Sequence, residues 1–324
     1  MSEIKRNRHV FQKYEIYLLM ALLILSSLLR IYRLDHQSYW TDEIITIKAA
    51  KQSAAQLLFH PTITNNAPPL YFLMSHFLLQ LNQRNAELML RLPSALFGIL
   101  SVALFYLVVR KLLGKRMGFM ASMLMALSPF HIWYSQEARP YALLLFLSLL
   151  SLWLFQELIS KPQNQWLKAG FIGSAALTFY CHTIAIAFIG ALFIYLLIFF
   201  KNSWTYWLKI LFAIIILMIP ALFYLILNPP ASGGDPHRST KIFTSIAYTI
   251  WTFSTGFSLG PSLTEWHAQD KLKILLSYLH LILPIMVLVS SLLGLGVIKL
   301  YKNYKQAFWI SLLLFTCPLF FAIL

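Results

Sequence analysis

Two stretches of this sequence hold residue types that could do chemistry together. Tyr39-Trp40-Thr41-Asp42-Glu43 places two carboxylates behind two aromatics, and Tyr134-Ser135-Gln136-Glu137-Ala138-Arg139-Pro140-Tyr141 joins a third carboxylate to an arginine. Adjacent residues on a helix do not face each other, so Asp42 and Glu43 are not a facing acid and base. One is expected to meet the chemistry and the other the scaffold, which leaves Glu137 as the candidate partner carboxylate. Arg139 precedes Pro140, a residue suited to a first helical turn, and anions are favoured at such helix ends. Its planar fork also matches phosphate oxygens. Plainer alternatives stand beside these: Thr41 or Asp42 capping a helix from Glu43 to Ala55, and Arg139 snorkelling to pair with Glu137.

Further along, Glu265-Trp266-His267 sets a carboxylate and an imidazole two apart, which could bind a divalent cation. That spacing is common and fixes no metal. Cys181 and Cys317 lie in or beside apolar runs and support neither a disulfide framework nor a thiolate metal site.

A membrane fold must position these groups. The 324 residues are 59% hydrophobic and only 11% charged, and mean hydropathy is +0.69, far more apolar than a soluble domain. About 20 apolar residues cross a bilayer, and the sequence predicts about nine such spans in one all-α integral membrane domain, residues 1–324. They run Ile16 to Leu34, Leu92 to Leu113, Gly118 to Trp133, Tyr141 to Ile159, Trp166 to Tyr180, Ile184 to Phe200, Leu208 to Leu227, Leu272 to Ile298 and Phe308 to Leu324. The first follows a basic lead and lacks a small-residue cleavage site, so it reads as an uncleaved span.

The net charge of +15 sits between the spans rather than on a soluble face and therefore does not argue for nucleic-acid binding. Arg110, Lys111, Lys115 and Arg116, then Lys161 and Lys168, Lys201 and Lys209, and Lys299, Lys302 and Lys305 fall in alternate short loops, expected in the cytoplasm with the N-terminus. Asp42, Glu43, Glu87, Glu137, Asp235, Glu265 and Asp270 then face outward. Two outward loops, 35–91 and 228–270, are too long for simple connectors. In the first, Leu70 to Leu81 is predicted to be an interfacial helix with His76, Gln80 and Gln83 on one stripe; Ile242 to Phe257 fits a second.

The succession Trp40-Thr41-Asp42-Glu43, Asn66-Ala67-Pro68-Pro69-Leu70-Tyr71, Arg91-Leu92-Pro93-Ser94-Ala95-Leu96-Phe97-Gly98 and Ser128-Pro129 leading to Gln136-Glu137-Ala138-Arg139-Pro140-Tyr141 resembles the GT-C membrane glycosyltransferases, within them the protein mannosyltransferase and lipid A aminoarabinose transferase group. Gly256 to Ser262 with Glu265 and His267 also resembles bacterial members. The resemblance implies a sugar on a polyprenyl phosphate, transferred with inversion to a lipid, glycan or protein acceptor. It places the reaction on the outer face of a bacterial inner membrane. It makes Asp42, Glu43 and Glu137 the expected catalytic residues, and Arg139, Arg91, Asn66, Tyr141 and His267 the expected substrate-binding ones, with a divalent cation as an open candidate cofactor. The family often has His where this sequence has Ala67. Members usually continue beyond the point where this chain stops, so a C-terminally shortened member is expected. A multispan transporter and an inactive membrane partner are the competing readings; ionisable groups at the interface rather than the midplane favour the transferase over transport.

Overall fold

The computed structural model describes residues 2–60, 64, 67–82, 84–227 and 276–323, with residues 2–13 and 318–323 as backbone alone. The elements are α1 (Ser2–Ile31), α2 (Thr41–Ala50), α3 (Ala54–Phe59), α4 (Leu70–Leu81), α5 (Ala86–Leu113), α6 (Lys115–Leu127) and α7 (Pro129–Ser135). After these come α8 (Tyr141–Ser160), α9 (Gln165–Cys181), α10 (Ala185–Phe199), α11 (Trp204–Leu227), α12 (Leu279–Asn303) and α13 (Lys305–Ile323). The described residues contain no strand, so the all-α expectation holds.

Five of these stretches are long and apolar enough to cross a membrane: Tyr14–Ile31, Ala86–Leu113, Tyr141–Ser160, Lys201–Ile226 and Leu279–Asn303. Among the described residues the expected count of about nine is not confirmed. α9 and α10 are apolar but only 17 and 15 residues long, and the expected span Gly118 to Trp133 is broken into α6 and α7 at Ser128-Pro129. α5 starts at Ala86, so the first long loop is shorter than 35–91.

The break has a local cause. Pro129 has no N–H for the last carbonyls of α6, and Ser128 caps α7 by accepting from the His131 amide at 3.3 Å. Arg30, at the end of α1 and fully buried, supplies the missing donors. Its Nη1 donates to Ala126 O (3.2 Å) and Ser26 O (3.1 Å), and its Nη2 to Met125 O (3.3 Å) and His131 Nδ1 (2.6 Å). A buried guanidinium in a membrane protein is costly; here the negative end of α6 and charge-assisted bonds offset that cost. Gly98 lets α5 approach α7, because a Cβ there would lie 2.2 Å from Ser135 Oγ.

The main core lies where α8, α9, α10, α11 and α13 meet. Phe155 is fully buried, with Phe171, Trp207 and Tyr195 rings at 5.5, 5.8 and 6.1 Å. The basic loops gather at one end of the bundle: Glu15 bonds Lys115 and Tyr106 and lies 3.2 Å from Arg110, and Lys111 donates to Glu157 at 2.5 Å. Two carboxylates thus serve the basic end as local counter-charges. Such exposed pairs contribute little stability but join α1 and α8 to the α5–α6 hairpin.

Candidate active site

α2 and the 136–140 segment meet at the other end of the bundle. α2 begins at Thr41 with Trp40 at its N-cap and no side-chain capping bond, and it ends at Ala50. The alternative in which Thr41 or Asp42 caps a helix reaching Ala55 is therefore corrected. Gln52 precedes a new start, the Ser53–Gln56 capping box of α3. α4 supports α2 from below: His76 Nδ1 donates to Ala50 O at 3.0 Å, while its Nε2 accepts from Gln80 at 2.9 Å. Gln83 lies outside the described residues.

The two adjacent carboxylates separate as helix geometry requires. Glu43 is 1% exposed and is gripped by Arg91, whose Nε donates to Oε1 at 2.8 Å and Nη2 to Oε2 at 2.7 Å. Glu43 Oε1 also accepts the Ala138 amide at 2.8 Å. Arg91 Nη1 donates to Leu34 O (3.0 Å) and Gln37 O (2.7 Å), and Nη2 reaches Ser38 O (3.5 Å). All five of its N–H groups thus point at the protein. Its guanidinium also lies 5.1 Å from the Tyr39 ring centroid, and burial pushes the Tyr39 phenol up to about 12.

Asp42 is the open one, with its side chain 36% exposed. Arg139 faces it: Nη2 lies 3.6 Å from Oδ2, and Nη1 donates to the Asp42 carbonyl at 3.2 Å. The expected alternative partner of Arg139, Glu137, instead accepts from the Trp133 indole. Tyr141, the first residue of α8, lies under Arg139 at 5.6 Å and meets the Tyr134 ring edge-on at 5.1 Å. Gln136 holds the segment down, donating to the α1-end carbonyls of Leu29, Arg30 and Tyr32 at 3.2–3.3 Å. Sequence reading assigned no role to it, nor to His182, whose charged form burial and the nearby Arg139 both disfavour.

Glu137 is 5% exposed, and its Oε2 is buried without a partner. It borders a recess of about 90 Å³ beside Trp40 and Gln136, against the Glu43–Arg91 pair. Burial pushes its carboxyl up to about 7, the charges of Glu43 and Asp42 add to this, and Trp133 and Arg139 oppose it. The folded state therefore holds an extra proton between the ordinary 4.5 and about 7. Its contribution to stability is complete below pH 4.5, falls as pH rises through about 7, and is flat above. Melting of the protein in detergent is expected to drop from pH 5 to pH 8, and Glu137→Gln to remove that part of the slope. Parallel profiles for the two proteins would refute the assignment.

Asn66 and His267, and with His267 the Glu265 pairing, lie outside the described residues. Among the described residues no three His, Cys, Asp or Glu side chains gather as a metal site.

Fold and site together define a helical membrane protein with a carboxylate–arginine centre at one end of its bundle. Residues 66–224 match the family described as dolichyl-phosphate-mannose-protein mannosyltransferase, which bears out the resemblance drawn from the motifs. The matched region contains Arg91, Glu137, Arg139 and Tyr141 and starts after Asp42 and Glu43. The chain is also similar to the Bacillus subtilis (strain 168) protein named "Putative mannosyltransferase YkcB", 39% identical over 80 residues, which is 25% of this chain and 11% of that protein.

Proposed function

We propose that this protein transfers a sugar from a polyprenyl-phosphate donor to an acceptor, with inversion, and that mannose is the first sugar to test. One observation carries the reading: of the two adjacent carboxylates, Glu43 is locked to Arg91 while Asp42 stays open beside Arg139. The family match and the relative's name support glycosyl transfer as the class of reaction.

Polyprenyl phosphate is a good leaving group, so the chemistry needs a cation for the phosphate more than an acid for the bond. Arg139 supplies the cation. Asp42 takes the proton of the acceptor hydroxyl or amine as it attacks the far face of an oxocarbenium-like centre, the single-displacement logic of inverting enzymes. Glu43 and Arg91, expected as a catalytic and a substrate-binding residue, are better suited to positioning, since their bonding groups are engaged with each other and with the backbone. Glu137 borders the recess and holds a proton near neutral pH, which suits it to orienting an acceptor hydroxyl. Asn66, Tyr141 and His267 remain candidates for contacts to substrate. The basic end faces the cytoplasm and the site faces outward, by the positive-inside rule.

The test is sugar transfer in membranes containing the full chain, supplied with either polyprenyl-phosphate mannose or the nucleotide-linked sugar. Transfer from the lipid donor alone is expected, with the product anomer inverted. Arg139→Lys keeps the charge and loses the fork, so donor use is expected to weaken by roughly tenfold, the scale of one charge-assisted bond. Transfer from the nucleotide sugar without lipid would sink the donor assignment, and undiminished donor use by the lysine variant would sink the role of Arg139.

A further inference from the structure

Beside the site, and reaching it at Tyr134 and Tyr141, α5, α6, α7 and α8 line an open groove of about 750 Å³, within the range of single-ligand pockets. Its walls are apolar, with Phe105, Leu124, Leu145 and Leu149 along them, and His131 and Ser135 at a polar patch. Ser135 is already committed, donating to His131 O at 2.6 Å. His131 is not. Arg30 is only a donor, so the 2.6 Å contact makes His131 Nδ1 the acceptor. A neutral imidazole with that lone pair in use carries its proton on Nε2, and among the described residues no group takes it up. Arg30, behind His131, meets carbonyls and this imidazole, and among the described residues it has no carboxylate partner.

We propose that this cavity holds an anionic membrane phospholipid, one acyl chain along the apolar walls and a phosphate oxygen accepting from His131 Nε2–H. The charge complementarity with the buried Arg30 favours an anionic over a zwitterionic headgroup. The lining reaches Tyr141 but holds neither Asp42 nor Arg139, so retention is tested at Ala121, Leu145 and His131, apart from the carboxylate–arginine pair.

The experiment is native mass spectrometry of the full chain, delipidated in detergent and offered phosphatidylglycerol or phosphatidylcholine, with melting followed in parallel. One phosphatidylglycerol per chain is expected to be retained and to raise the melting temperature, with phosphatidylcholine far weaker. Ala121→Trp, which fills the cavity from its wall, is expected to abolish retention. Leu145→Trp serves if that variant melts below the parent without lipid. His131→Phe is expected to weaken binding by roughly tenfold, one charge-assisted bond. His131→Gln should largely restore it, because an amide can accept from Arg30 and still donate. Equal retention of both lipids, unchanged retention when the cavity is filled, or displacement of phosphatidylglycerol by one equivalent of an isoprenyl phosphate would overturn the proposal, the last by giving the cavity to the sugar donor.

Discussion

Arg91→Leu is expected to be among the most damaging single changes in this protein, for reasons of folding rather than chemistry. It strips Glu43 of both charge-assisted bonds and leaves a carboxylate at 1% exposure without its counter-charge. Removing one partner of a buried ion pair costs about 3–5 kcal/mol. The same change frees the Leu34 and Gln37 carbonyls that hold the chain between α1 and α2. The expected readout is a large loss of monodisperse protein in detergent and a lower melting temperature. Arg91→Leu combined with Glu43→Leu is expected to recover part of that loss, because the orphaned charge goes, though the carbonyls stay unpaired. A single variant as stable as the parent would show that the pair does not hold the first loop.

Asp42→Asn is expected to do the opposite: to leave the fold intact and remove the activity. The amide keeps the shape and can still accept from Arg139, but it cannot take a proton. If Asp42 is the base in the transition state, turnover falls by roughly 10²-fold or more with donor binding little changed. Glu43→Gln, one residue on, is expected to lower stability and activity together, since it neutralises the buried partner of Arg91. Sugar transfer is measured in membranes at equal protein level, with the melting curve beside it. Parental turnover in the Asp42 variant would remove it from the mechanism, and a melting loss equal to that of Glu43→Gln would make it a scaffold residue.

The sequence was most informative where local pattern decides structure. The apolar stretch predicted from Leu70 to Leu81 is α4 residue for residue, and His76 and Gln80 are bonded at the expected helical spacing. Helix geometry also required Asp42 and Glu43 to point apart. It could not say which one faces inward, because the deciding partners, Arg91 and the Ala138 amide, are 48 and 95 residues away. The span Gly118 to Trp133 was misread for a related reason. Its average apolarity hides a single missing N–H at Pro129, and the group that compensates, Arg30, comes from another helix. Arg30 lies inside the expected first span, and its burial among helix-end carbonyls is a tertiary property that no local pattern carries.

The Glu43 carboxylate ties three separate pieces of chain into one knot: α2, α5 and the turn before α8. None of the three can close it alone. During synthesis the first loop therefore has no settled seat until the ribosome has delivered the residues around Ala138, almost a hundred positions later. The end of the bundle that carries Asp42 therefore closes only after α1, α5 and α6 have been made. A nascent chain whose residues 136–141 are still inside the ribosome should carry inserted helices and an unlatched loop open to protease, and one in which that segment has emerged should be the first to resist cleavage there.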